Sequence, residues 1–157
     1  MRLGTRFSLV RSLTVMMAGA MLFAPAFAQN ATRAERDLFT AVNQARRAQG
    51  LSALRWDDSL AQAARRHAAV MAQHGTAQHA FEGEPSLSAR IKEVGAHFSW
   101  LSENVTQGPT AAFIHSQFLN SPNHRANMLD RDMDSIGIGV VERGGQLFAV
   151  EDFSQAR

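Results

Sequence analysis

Residues 135–150 read SIGIGVVERGGQLFAV, and this stretch decides how the chain folds. Two apolar runs, 135–141 and 146–150, lie on either side of Arg143-Gly144-Gly145. Paired glycines between two such runs are typical of a tight β-hairpin turn. The second run is apolar at Leu147 and at the next three positions, as in a strand that is covered on both faces. The stretch therefore predicts a hairpin inside a layered domain.

The first strand of this hairpin contains Gly137 and Gly139, which alternate with isoleucines. A glycine in a strand leaves room for another backbone to approach closely. We therefore expect a helix or another chain segment to pack against the strand at these two positions.

The sequence upstream of the hairpin has mainly helical spacing. Thr32-Arg33-Ala34-Glu35 fits a capping box for a first helix, and Asp57-Asp58 begins a second. Four helices are predicted, which are closed or broken in turn at Gly50, Gly75, Gly95 and Ser121-Pro122. No linker separates the helical part from the strand-like part, so we predict one domain that spans residues 29–157.

Composition excludes several classes of protein. The 157 residues are 45% hydrophobic and 19% charged, which argues against a disordered chain or a coiled coil. The absence of cysteine excludes disulfides, thiolate metal sites and a cysteine nucleophile. The net charge is +2, but the first 28 residues hold three arginines and no acid, and without them 13 basic and 14 acidic residues leave −1. No basic patch points to nucleic acid as a partner.

Residues 1–28 have the order of a secretory signal. A basic start precedes the apolar stretch 13–23 and the small-residue site Ala26-Phe27-Ala28. The alternative is an uncleaved membrane anchor, because no charged residue occurs between Arg11 and Arg33. A proline and the small-residue site interrupt that window, which favours cleavage. We expect export to the periplasm or beyond, with no stable membrane span after cleavage.

Three polar side chains are candidates for chemistry. His79 lies in a loop soon after a helix end, and loops often present functional side chains. Strand alternation over Trp100–Thr106 places Glu103 among apolar neighbours, where a carboxylate must be paired, protonated or bound. His124 projects from the start of a short helix that Pro122 opens, with Ser121 placed as its cap.

Structural roles compete with functional ones at several of these positions. Glu103 can form a salt bridge with Arg90 or Arg125. His67, on the apolar face of the second helix, is interpreted as a core histidine with a backbone or carboxylate partner. Ser121 precedes a proline, so a helix cap is favoured over a nucleophile paired with a nearby histidine.

The ordered set of these motifs resembles the CAP superfamily, which contains the cysteine-rich secretory, antigen 5 and pathogenesis-related 1 proteins. The resemblance is strongest to the short bacterial members and covers nearly all of the chain after residue 28. The matching positions are, in chain order, Val42-Asn43-Gln44-Ala45-Arg46, Gly50-Leu51, Leu54-Arg55-Trp56-Asp57, Leu60, Ala63-Ala64, His67-Ala68, Met71, His79, Arg90, Gly95, Ser102-Glu103-Asn104-Val105, Ser121-Pro122-Asn123-His124-Arg125, Asn127, Leu129 and Ile136-Gly137-Ile138-Gly139.

The resemblance implies an α+β fold, a three-layer α-β-α sandwich with a central, mainly antiparallel sheet. It also implies a cleft formed by His79, Glu103 and His124 and supported by Asn104, Ser121 and Arg125. Two imidazoles and a carboxylate can bind a divalent cation, Zn²⁺ or another, and leave positions open for water or a ligand. The two histidines can also orient one another through hydrogen bonds without a metal.

Three departures from the family pattern bear on this cleft. Ser102 stands where the family usually has glycine, and Phe118 where it usually has tryptophan. Ser121 occupies the position of a second glutamate in eukaryotic relatives. With one acidic group fewer, we expect weaker cation binding than a four-residue site would give.

Two classes of function remain open from the sequence. The family is associated with secreted signalling, host interaction and binding of lipids, sterols or cell-envelope surfaces, which suggests an extracellular binding module. The alternative is a metal-dependent peptidase or esterase, in which Glu103 is a ligand or the general base. The chain has neither a Gly-x-Ser-x-Gly elbow nor a His-Glu-x-x-His helix, which favours the binding module and leaves catalysis uncertain.

The leader gives a direct prediction. When the full chain is expressed in a bacterium, the exported protein is expected to begin at Gln29, and the intact mass of purified protein measures this. Ala28→Arg is expected to block cleavage and to leave the leader attached. Recovery of the wild-type chain from the membrane fraction at its full mass would instead support the anchor.

Overall fold

The computed structural model describes residues 31–155. The predicted leader and cleavage site lie outside the described residues. Within residues 31–155, no helix has both the length and the apolar content needed to cross a membrane. The elements in chain order are α1 (Arg33–Ala48), β1 (Arg55–Trp56), α2 (Asp58–His74), α3 (Leu87–Glu93), β2 (Trp100–Gly108), α4 (Ala111–Asn120), α5 (Pro122–Met128), β3 (Ser135–Arg143) and β4 (Gln146–Gln155).

The helix boundaries follow from local sequence chemistry. The Thr32 hydroxyl accepts from the Glu35 N–H and the Glu35 carboxylate accepts from the Thr32 N–H, so the predicted capping box is confirmed. Asp57 caps α2, and Gly75 ends it in the left-handed conformation with φ 71°. The four predicted helices are therefore present with their expected starts and stops.

Four strands form one mixed sheet in the order β1-β3-β4-β2. Only the two-residue β1 runs parallel to its neighbour, and the other pairs are antiparallel. The hairpin prediction is confirmed, and both turn glycines have positive φ. The predicted second strand was too short, because β4 continues through Glu151 and Asp152 to Gln155. These two acids are fully buried, and burial raises the pKa of each, which lets an apolar strand hold them uncharged.

The sheet is covered on both faces, as the apolar pattern of β4 predicted. One face packs Ile136, Ile138 and Phe153 against α1, α4 and α5. The other face packs Val105 and Val150 against α2, and α3 lies beside α2. The α-β-α sandwich implied by the resemblance is thus the observed architecture, with β2 exposed as an edge strand between the two helical layers.

Helix α2 lies unusually close to β3 at the two glycines. A Cβ atom at Gly137 would lie 2.1 Å from the Ala61 nitrogen, and one at Gly139 would lie 2.2 Å from the Ala64 carbonyl carbon. Both contacts are with backbone, which cannot move aside as a side chain can. The expected close approach is confirmed, and it fixes how α2 sits on the sheet.

A buried arginine fixes the segment that follows α5. The Arg46 guanidinium in α1 is 1% exposed and donates to the carbonyls of Ser52, Met128, Asp130 and Met133 at 2.8–3.3 Å. Two of these carbonyls lie at the end of α5 and just beyond it, where helix carbonyls lack partners within the helix. Arg46 therefore ties α5 to α1.

We predict that Gly137→Ala destabilises the protein by about 3 kcal/mol, because the added methyl group overpacks a backbone contact. Gly95→Ala is the matched control. Its site is open space at φ 76°, so only the left-handed backbone is penalised, by about 1 kcal/mol. Urea unfolding measures both, and equal losses would show that the α2 contact is not the cause.

Candidate functional site

Glu103 lies in the middle of β2 on the face that is turned toward α2 and α3. Glu103 is 8% exposed. Oε2 accepts a short hydrogen bond from the Arg90 guanidinium, and Oε1 lies 2.9 Å from His79 Nδ1. The predicted ion pair is therefore present with Arg90, and both oxygens of Glu103 are engaged.

Arg90 joins α3 to the loop that carries His79. Besides Glu103, its guanidinium donates to the carbonyls of His79 and Pro85, each at 3.3 Å. Arg90 is 5% exposed, so these contacts are largely shielded from water. A single buried cation thus holds both the carboxylate and the main chain of the histidine loop.

Asp152 faces Glu103 across the β2–β4 ladder. Burial, and secondly the charge of Glu103, raise the pKa of Asp152 well above its ordinary value. Neither Asp152 oxygen accepts a hydrogen bond from a donor in the described part of the chain. Two carboxylates can only accept, whereas a protonated Asp152 can donate to Glu103. We infer that Asp152 holds a proton beside the site.

His79 uses one ring nitrogen for its contact with Glu103. Its Nδ1 is bound to Glu103, while Nε2 has no hydrogen-bond partner within residues 31–155, and the side chain is 59% exposed. The hydrogen bond to Glu103 raises the pKa of His79, against the opposing effect of burial. When His79 is neutral, a proton on Nδ1 leaves the Nε2 lone pair free to bind a ligand.

His124 lies in α5, which packs over the opposite face of the sheet. Its ring meets Phe118 edge-on, with centroids 5.2 Å apart, at the position where the family usually has tryptophan. Burial lowers the pKa of His124, and the positive charge of His79 lowers it further. Both effects favour the neutral form of the His124 imidazole.

Asn104 and Asn127 hold α5 against β2. Asn104 Nδ2 donates to the His124 carbonyl at 3.1 Å and to Glu151 Oε2 at 3.2 Å. Asn127 Nδ2 donates to Asn104 Oδ1 at 2.9 Å and to the Glu103 carbonyl at 3.3 Å. The main chains of Glu103 and His124 are therefore joined through two amide side chains.

The other two predicted supporting residues lie differently. Arg125 is exposed and lines a cavity of about 430 Å³ with Leu119 and Leu129, and it is not the partner of Glu103. Ser121 occupies the predicted N-cap position of α5, but its side chain makes no capping hydrogen bond. One residue joins α4 to α5, and the Ser121 main chain serves both helices: its N–H donates to the Gln117 carbonyl and its carbonyl accepts from the Arg125 N–H.

Sequence reasoning did not single out Asp152, Glu151 or Asn127 as parts of the site. A signal was available for the two acids, because Glu151-Asp152 interrupts an otherwise apolar strand between Val150 and Phe153. Acids at such positions must be protonated or paired. Nothing local marks Asn127, whose partners are more than twenty positions away.

The three predicted cleft residues carry donor atoms that suit a cation, but they do not form a complete set of ligands. No group of three His, Cys, Asp or Glu side chains among residues 31–155 is arranged to hold a metal ion. Glu103 already binds Arg90 and His79 through its two oxygens. The free Nε2 of His79, oriented by a carboxylate, is the arrangement typical of a metal-binding histidine. His79 alone shows this arrangement among the three predicted cleft residues.

Residues 39–153 match the cysteine-rich secretory protein (CAP) family. The match covers most of the chain, and the protein belongs to this family. The predicted resemblance is confirmed.

Individual relatives agree with this assignment. The uncharacterized membrane protein YlbC of Bacillus subtilis is 30% identical over 113 residues, which are 69% of this chain and 32% of YlbC. This chain thus spans about a third of that curated relative. The structure of an outer surface protein from Borrelia burgdorferi has a TM-score of 0.73 at 22% identity, over 79% of this chain and 93% of the Borrelia chain. The crystal structure of NaASP2 with Zn²⁺ has a TM-score of 0.57 at 11% identity, over 83% and 84% of the two chains. These two structures share the fold.

The buried acid beside Asn104 gives a pH-dependent prediction. Burial raises the pKa of Glu151 to about 8 from an ordinary 4.5, so the folded protein keeps a proton that the unfolded chain has lost. The free energy of unfolding is therefore highest below the ordinary pKa and falls as pH rises toward 8. Between pH 5 and pH 8 this loss is roughly 4 kcal/mol for Glu151 alone.

Glu151→Gln keeps the shape and the hydrogen bond from Asn104 but removes the titration. Its stability, measured by urea unfolding at several pH values, is expected to fall less steeply between pH 5 and pH 8 than that of the wild type. Asp152 and the histidines titrate in both proteins, so their effects cancel in the comparison. Parallel curves for the two proteins would contradict a protonated Glu151.

Proposed function

We propose that this protein is an exported binding module whose cleft holds a divalent cation between His79 and His124. One observation carries the proposal: Glu103 engages Nδ1 of His79, whose side chain is 59% exposed, which supports Nε2 as the available ligand atom. Zn²⁺ suits such imidazole ligands, and the coordination positions that the protein leaves open can take water or a further ligand.

In this proposal Glu103 orients His79 and does not ligate the cation. Arg90 and His79 already take up both carboxylate oxygens. A carboxylate behind a ligating histidine fixes the tautomer of the ring and raises its basicity. The same engagement argues against Glu103 as a free general base, which favours binding over the alternative of metal-dependent hydrolysis.

His124 suits the role of second ligand because it favours the neutral form. Burial and the charge of His79 both lower its pKa, and only a neutral imidazole can coordinate a metal. A bound cation at the cleft would supply a positive charge and open coordination positions. Two imidazoles without a carboxylate ligand leave that charge uncompensated, so we expect an anionic or oxygen-rich ligand from the cell envelope or the medium, such as a lipid headgroup.

Relatives supply weaker support for this proposal. The similar Borrelia burgdorferi chain is an outer surface protein, in line with export of a chain that begins with a secretory signal pattern. NaASP2 is a protein of the same fold that was crystallised with Zn²⁺.

Calorimetric titration of the untagged exported protein with Zn²⁺ tests the proposal. We predict that His79→Ala and His124→Ala each weaken binding at least tenfold and that Glu103→Gln weakens it 10- to 100-fold. Affinity should also fall as pH is lowered, because protons compete for His79, whose pKa is raised. His97→Ala is the matched control, since His97 is exposed and outside the cleft, and it should bind as the wild type does.

Two outcomes would count against the proposal. Zinc binding that survives both histidine substitutions would place the cation elsewhere. Turnover of a peptide or ester substrate that chelation stops, and that His79→Ala abolishes in a folded protein, would favour the hydrolase. Thermal unfolding followed by circular dichroism checks that each variant is folded.

A further inference from the structure

The loop that carries His79, residues 75–86, is held by a histidine that belongs to neither the cleft nor the loop. His67 lies in α2 and is fully buried. Its Nδ1 lies 2.6 Å from Glu84 Oε1, and its Nε2 lies 2.9 Å from the Gln78 carbonyl. The sequence predicted a core histidine with a backbone or carboxylate partner, and His67 has both. Its two partners are six residues apart in one loop, so the ring connects the two sides of that loop.

The hydrogen-bond chemistry of this contact is directional. A carbonyl only accepts, so Nε2 must carry a proton toward Gln78. Glu84 Oε2 accepts from the Phe81 N–H at 3.3 Å, and Arg90 lies 3.6 Å from Glu84 Oε1. The Phe81 N–H and the Arg90 guanidinium both favour Glu84 as a carboxylate. A carboxylate oxygen can accept a hydrogen bond from His67 when Nδ1 of the ring also carries a proton. The contact is then a buried hydrogen bond from Nδ1–H of His67 to Oε1 of Glu84.

The apolar contacts of this loop come from Ala77 and Phe81, which pack against the apolar cluster between α2 and the sheet. Residues 78–80, 82 and 83 are exposed. Phe81 is half-buried and stacks on the ring of His74, with centroids 4.2 Å apart. Where apolar burial is small, the loop conformation depends on its polar contacts. These are supplied by His67 from α2 and by Arg90 from α3.

The two polar contacts meet at adjacent residues. His67 binds the carbonyl of Gln78, and Arg90 binds the carbonyl of His79. The two carbonyls that flank the Cα atom of His79 are therefore each held by a hydrogen bond. A shift there would move His79 Nδ1 away from Glu103, since a hydrogen bond of 2.9 Å tolerates little displacement.

We propose that His67, through its pair with Glu84, is a positioning residue that sets the orientation of His79 over Glu103. It touches neither the cation nor any ligand. The effect on zinc affinity rests on the proposed function, whereas the effect on the His79–Glu103 hydrogen bond is a property of the protein without metal.

Two variants test this role. His67→Leu removes both ring contacts and keeps an apolar volume in the core, and Glu84→Gln removes the charge from the loop side. ¹⁵N-detected histidine NMR of the metal-free protein, with the His79 signal assigned by its loss in His79→Ala, reports whether Nδ1 still carries the proton donated to Glu103. In both variants we expect that signature to be lost or averaged. Zinc affinity should fall 10- to 100-fold, as for other groups that orient a ligand.

The controls separate positioning from stability. Ile114→Val removes a buried methyl group on the opposite side of the sheet, and it should lower the melting temperature with no change in the His79 signal. His67→Gln keeps one amide donor for the Gln78 carbonyl and should restore part of the signature. If His67→Leu does not fold, Glu84→Gln decides the question, because the Glu84 side chain is 9% exposed whereas that of His67 is fully buried.

An unchanged His79 signature in folded His67→Leu and in Glu84→Gln would overturn this inference. If the wild type binds no zinc while both variants lose the signature, the proposed function fails and the positioning role stands. If the wild type binds zinc and neither variant affects the signature, the positioning role fails and the proposed function stands.

Discussion

The ion pair between Arg90 and Glu103 joins helix α3 to strand β2, and the proposed cation site depends on this contact. Glu103 sits on a nearly buried position of an edge strand, close to the carboxyl group of Asp152 and within the same network as Glu84. Arg90 is the cation that contacts both Glu103 and Glu84. A buried pair of this kind adds little net stability, but removal of one partner leaves an uncompensated charge and typically costs about 3–5 kcal/mol. Burial, and secondly the negative charge of Glu103, raise the pKa of Asp152 beside this ion pair.

The position of the cleft follows from the topology of the sheet. Antiparallel pairing leaves β2 at the edge, so the strand can be reached from both helical layers. The layer of α2 and α3 supplies Arg90 and the loop of His79, and the other layer supplies His124 from α5. Alternation along β2 turns Glu103 toward the first layer and Asn104 toward the second. Two successive residues of one strand thus bind the His79 ring on one side and the His124 main-chain carbonyl on the other.

The fold was largely predictable because its signals are local. Caps, glycine stops and the Gly144-Gly145 turn each act within a few residues, and they placed the helices and the hairpin. Trp100–Thr106 was correctly interpreted as a strand with Glu103 turned inward. The end of β4 was not predicted, because acids usually end an apolar strand and their protonation depends on burial by distant elements.

The site was predictable in part. Strand alternation indicated Glu103, and the family pattern indicated His79, Glu103 and His124 together. Arg90 was one of two arginines predicted as possible salt-bridge partners of Glu103. Which arginine pairs with Glu103 depends on how α3 packs, and no spacing rule encodes that. Asn127 likewise acts across the gap between α5 and β2, so its partners could not be inferred from its neighbours in the chain.

The guanidinium of Arg46 has a consequence for where this chain can fold. Many small exported domains fasten their loops with covalent sulfur bridges, which form only where an oxidant is present. Here the guanidinium group of Arg46 donates hydrogen bonds to four backbone carbonyls and so holds the segment after α5 against α1. That linkage depends on no thiol chemistry, so the domain can reach and keep its final shape on either side of a membrane, whatever the local redox potential.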